Sequence, residues 1–236
     1  MDNDANRYRL NREASRHKAV QDFYATEPDF AALLDAADEY VGHLIYSLSG
    51  KTLVKDEADE YLTYLLVTFT RCHFNMSDYA RSGDLTEAIV LFRRQIETLA
   101  RMHEIRAAEN LDGLLRKTPN LKRLKGQLRR MYDEYSAVAH GSDARQGQLL
   151  GLPLDAQFSR SYPVMPHFNR HAYVLVGHVM HSIVELDGWL MSHAKDLGWP
   201  LDTEWRQQWW SAHIKEATRL LKTDPYGSPA NGEGRP

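Results

Sequence analysis

Leu121, Leu124, Leu128, Met131, Tyr135 and Val138 recur in steps of three and four residues. That spacing gathers all six on one face of an α-helix, whereas a strand would scatter them over both of its faces. The same rhythm runs through Phe30, Leu33, Leu34, Ala37, Val41, Leu44, Ile45 and Leu48, and again through Leu85, Ala88, Phe92, Ile96, Leu99 and Met102. It returns in Ala172, Leu175, Val176, Val179, Ile183, Leu186 and Leu190. Several long helices, each with one apolar stripe, bury those stripes only by packing on one another. The expected fold is therefore all-α, an antiparallel helical bundle. Asp56 to Arg81 is apolar on most sides and belongs at the centre of such a bundle.

Punctuation sets the limits of the elements. Pro28 or Asp29 opens one helix and Gly50 stops it, Ser82-Gly83 closes the next, and Asp84 with Glu87 three residues on has the spacing of a capping box. Thr118-Pro119 is the expected start of the leucine-rich helix, which should run to His140-Gly141, and Asp202 should cap the last helix. Between Gly141 and Pro166 the glycines and prolines break the helical pattern, predicting a long loop that holds at most a small β-hairpin. Residues 1–26 are polar and read as a peripheral N-terminal helix, 27–222 as the bundle domain, and 223–236 as a disordered tail.

The chain has 236 residues, enough to bury a core without disulfides, and its single cysteine, Cys72, cannot form an internal one. With 29 basic and 32 acidic side chains, the charge of −3 argues against a generally basic nucleic-acid binder and leaves room for a local patch. The N-terminus is acidic and lacks the apolar segment of a secretory leader, and no stretch approaches the roughly 18 apolar residues that span a bilayer. A cytoplasmic protein with no membrane contact is expected.

Arg93 and Glu97, four apart, share a helix face at the edge of an apolar stripe, with Arg94 and Arg101 as neighbouring cations. They read either as a structural ion pair or as an anion-binding arginine oriented by its glutamate. His140 ends a helix on the stripe of Arg129, Asp133 and Ser136. It reads either as a C-cap, favoured there by the helix dipole, or as a general acid/base beside the Gly-rich segment. Arg94, Arg129, Arg130, Tyr135 and Ser136 surround these positions and are the expected substrate contacts. Lys117, Lys122, Arg123, Lys125, Arg129 and Arg130 form the one basic cluster, a solvated face or a phosphate-binding one. His171, His178, His181 and Glu185 lie along one flank of a helix but match neither the His-Glu-x-x-His signature nor a paired Glu-x-x-His, so no metal and no cofactor is assigned. Trp205, Trp209 and Trp210 read as core or dimer contacts.

Leu91-Phe92-Arg93-Arg94-Gln95-Ile96-Glu97-Thr98-Leu99, followed by Tyr132 to Gly141 with its Tyr-x-x-x-Ser-x-x-x-His spacing, resembles a group of bacterial HEPN-like helical proteins. The similarity covers roughly Ala58 to Ala194. It implies a HEPN-like bundle. The function of that group is mostly unassigned, but many HEPN proteins at large are ribonucleases, often of toxin–antitoxin or phage-defence systems, acting without a metal through an Arg and a His shared across a homodimer. His140 matches the histidine of that pair. The matching arginine belongs near 134 to 136, where this chain has Glu134, Tyr135 and Ser136, so Arg93 on the neighbouring helix is the expected cation. The resemblance equally allows a non-catalytic module that binds a nucleotide or a partner protein.

Overall fold

In a computed structural model, the residues described are 3–51, 53–108, 111–124, 126–139, 164–220 and 222. All regular structure among them is helical: α1 (Asp4–Thr26), α2 (Pro28–Leu48), α3 (Glu57–Ser82), α4 (Leu85–Arg106), the short α5 (Leu111–Leu115), a 3₁₀ turn (Leu121–Arg123), α6 (Gly126–Ala139), α7 (Ala172–Leu197) and α8 (Thr203–Leu220). The region expected to hold a loop or hairpin is described only from Val164 on, without a strand; residues 140–163 and 223–236 lie outside the described residues.

The apolar stripes read from the sequence are the core. Phe69, Phe92, Leu62, Leu85, Ile96, Leu99, Met76 and Met102 of α3 and α4 are essentially sealed from water, as is Trp189 of α7. Burying each such side chain stabilises the fold by roughly 1.5–3 kcal/mol relative to leaving it exposed. Helices α3 and α4 share the most extensive contact, and α4 also meets α6, α7 and the 3₁₀ turn. Pairs between α4 and the chain running through the 3₁₀ turn into α6 fall in opposite order (Glu104 with Asn120, Arg93 with Tyr132). Pairs across α4 and α7 fall in the same order (Gln95 with Ser182, His103 with Glu185). α1 buries only Ala19 and Phe23, against α2 and α3.

Local chemistry explains the element ends. Asp56 accepts the backbone N–H of Asp59 at 2.8 Å and caps α3. Asp202 caps α8 through the N–H of Trp205 at 2.9 Å. Gly83, at φ 81°, closes α3 in a left-handed turn in which the Asp84 N–H reaches the Tyr79 carbonyl at 2.9 Å. Two expectations differ from the structure. Asp84 makes no cap bond to α4, because its carboxylate is taken by Arg16 at 3.0 Å and by the Ser82 hydroxyl at 3.1 Å. The leucine-rich segment is not one helix from Pro119. Asn120 caps the 3₁₀ turn while giving its own N–H to Glu104 at 2.9 Å, and α6 begins at Gly126.

Trp209 is buried, donates its indole N–H to the Ala36 carbonyl at 3.2 Å and packs on Tyr40, so it is core. Of the basic cluster, Lys117, Lys122, Arg123, Arg129 and Arg130 are exposed, and Lys125 lies outside the described residues. Among the described residues no helix is long and apolar enough to cross a membrane.

Candidate functional site

The contact between α4 and α6 builds a small polar cluster from three side chains. Arg93 projects from the edge of the buried stripe of α4 toward Tyr132 on α6. Its Nη2 donates to the Tyr132 hydroxyl at 3.1 Å, that hydroxyl donates to Glu97 Oε1 at 2.8 Å, and Arg93 Nε lies 3.3 Å from the same oxygen. The guanidinium also rides over the Tyr132 ring at 5.1 Å. Arg93 and Glu97 keep 23% and 33% of their side-chain surface in water, so the cluster is both held and reachable. Partial burial works against the Arg93 charge, yet the Tyr132 and Glu97 partners raise its pKa above that of a free arginine. A cation fixed in this way is suited to an oxyanion.

Of the other expected contacts, Ser136 follows Tyr132 by one helical step of four, and its buried hydroxyl has no hydrogen-bond partner among the described residues. Arg129 and Arg130 stand on the exposed side of α6, where Arg130 donates to Gln127 Oε1 at 2.9 Å. Arg94 points away from Arg93 and lines a groove against α3. Tyr135 faces inward. His140 lies outside the described residues, directly after the last residue of α6, Ala139.

Tyr135 and His178 form a pairing the sequence did not announce. The Tyr135 hydroxyl contacts His178 Nδ1, and both rings pack on Phe92. Burial raises the Tyr135 pKa, with Glu134 adding to it, so the phenol stays protonated and donates to the imidazole. Burial, with the charges of His181 and Arg130, lowers His178 to about 4. The one available hint was a tyrosine on an otherwise aliphatic seam, since a buried phenol needs a partner. His178 and His181 open onto a cavity of about 180 Å³ with Gln127 and Tyr173. Glu185 is instead held by His103 at 2.9 Å. Among the described residues no three His, Cys, Asp or Glu side chains gather closely enough for a metal ion.

The His178 shift has a measurable consequence. A histidine whose pKa drops from 6.5 to about 4 on folding binds fewer protons folded than unfolded between those values, so stability falls as pH drops through that window. The loss should reach about 3 kcal/mol by pH 4, and His181, also lowered by burial, acts in the same sense. Urea titrations at pH 7 and pH 4.5 check this. His178→Gln should flatten the dependence, and an unchanged slope would show that another group governs it.

No known protein family, curated protein or solved structure matches the chain.

Proposed function

We propose that this chain is a HEPN-like, metal-independent ribonuclease that works as a homodimer. Arg93 stabilises the charge that builds on the phosphate as the ribose 2′-hydroxyl attacks it. Glu97 and Tyr132 orient the guanidinium, and His140 takes the 2′-hydroxyl proton and delivers a proton to the 5′-oxygen as its bond to phosphorus breaks, leaving a 2′,3′-cyclic phosphate and a free 5′-hydroxyl. The observation that supports this is the Arg93–Tyr132–Glu97 cluster. It sets a held, solvent-reachable cation against α6, the helix that His140 follows in sequence. Positioned general acid/base groups contribute typically 10²–10⁴-fold. His140→Ala should therefore slow cleavage of a fluorescent RNA at least about 100-fold while leaving thermal unfolding unchanged, and equal residual activity rejects the assignment.

The second reading is a non-catalytic module that binds a nucleotide or a partner protein. It is favoured by the charge balance within the cluster, where Glu97 already offsets Arg93, and by the absence of an arginine at positions 134 to 136. On this reading the wild-type chain cleaves no RNA, and Arg93→Ala abolishes nucleotide binding in calorimetry.

A further inference from the structure

A second cationic surface lies on the other side of α4. Arg93 and Arg94 are one helical step of about 100° apart. The first turns to α6 and the second to α3. Tyr64, Thr68, Arg71 and Asn75 fall at steps of four, three and four along α3 and line one wall of a groove of about 280 Å³. Leu91 and Arg94 of α4 line the other, and Cys72 sits between them. Arg71 and Arg94 are exposed. Among the described residues neither forms an ion pair, and no carboxylate lines the groove. Tyr64 is 54% exposed, and its ring lies parallel to that of Tyr61, with centroids 5.9 Å apart and planes within 9°.

Each feature matches one part of a nucleotide. Two guanidiniums without counter-charges suit successive phosphates. An exposed aromatic ring suits a base, which stacks on it whatever its identity. Thr68 and Asn75 supply the hydroxyl and amide that can pair with base or ribose edges. An acidic peptide would use the two arginines but leave the stacked tyrosine and the amide without a role.

We infer that the α3–α4 groove binds single-stranded RNA, with Arg71 and Arg94 on the phosphates and a base on Tyr64. It rests on the reading that RNA is the substrate, and it would carry the strand across α4 toward Arg93.

The test is the affinity of a labelled single-stranded RNA octamer, by anisotropy, for the full chain carrying His140→Ala so that the strand stays intact. Adding Arg71→Ala and Arg94→Ala should raise Kd at least tenfold. It should also reduce the slope of log K against log salt by about 1.4, as expected when two single-strand phosphate contacts are lost. Tyr64→Ala, which leaves the charges in place, should weaken binding at least about fivefold. Unchanged affinity in both variants overturns the inference. So does an octaglutamate peptide that binds as tightly and displaces the RNA, which would make the groove a site for an acidic protein segment. Cleavage by the wild type with a KM unmoved by the arginine changes sinks the groove and leaves the active site standing. Octamer binding through the groove without any cleavage by the wild type does the reverse. A wild-type chain that neither binds nor cleaves RNA removes both.

Discussion

Gly83→Ala is expected to destabilise the protein by roughly 2–5 kcal/mol, a large part of the 5–15 kcal/mol typical of a folded domain. Two separate penalties combine there. The residue sits at φ 81°, where any Cβ is crowded by its own backbone. A Cβ would also stand 1.9 Å from the His167 carbonyl oxygen, and that neighbour is main chain, with no rotamer to move aside. Gly50 provides the internal control, since it has φ 70° and nothing within 4 Å of the added carbon. Gly50→Ala should show the conformational penalty alone, about 1–2 kcal/mol. Equal shifts in urea midpoint for the two variants would mean that the approach of the His167 segment to the α3–α4 turn does not occur in solution.

Asp38→Ala is expected to cost about 3 kcal/mol or more, through the groups it leaves behind. Asp38 is the shared anion between α2 and α3. Arg81 Nη2 donates to it at 2.6 Å, the Ser77 hydroxyl donates at 2.7 Å, and His73 Nε2 lies 2.9 Å away. Burial would raise the pKa of this carboxyl, but His73, Arg81 and Ser77 together hold it below the usual carboxylate range. His73 and Ser77 are fully buried, so removing the anion strands two polar groups away from water, and Arg81, which keeps 11% of its side chain exposed, is left to Asp35 alone. Asp35 also binds Arg81, at 2.7 Å, but is 49% exposed, and Asp35→Ala should cost no more than about 1 kcal/mol. Urea denaturation of the two variants side by side checks the difference. Similar losses would show that the buried network contributes no more than a surface ion pair.

The contrast between these two aspartates is also a measure of what a linear sequence reveals. Stripe positions such as Leu128, Met131, Tyr135 and Val138 are buried as their spacing implied, because an apolar face has only one favourable place to go. Pro28, Gly83 and Asp202 mark element ends as expected, because their signals act within a few residues. Asp84 shows where that logic stops. Its capping-box spacing is intact, but Arg16 of α1 and the Ser82 hydroxyl claim the carboxylate, and Arg16 lies far outside any local window. The candidate site divides the same way. The Arg93–Glu97 pair was legible as two charges four apart. The part of Tyr132 in joining them was not, although it stood in the recognised pattern, because it depends on how α4 and α6 meet. The partnership of Tyr135 with His178 and the meeting of Arg71 with Arg94 likewise arise only from helix packing.

The far end of α4 completes the setting of α6. Arg101 donates to the Leu114 carbonyl at 2.8 Å and also to the Lys117 carbonyl, while Glu104 takes the Asn120 N–H. Two turns back, Arg93 grips Tyr132. α4 therefore works as a splint tied at two points, its middle and its C-terminal end, fastening the strap that leads into α6 and then α6 itself. To roll about its own axis, α6 would have to break the Arg93–Tyr132 tie and drag the strap with it, so its rotation is fixed twice, by its own apolar stripe and by α4.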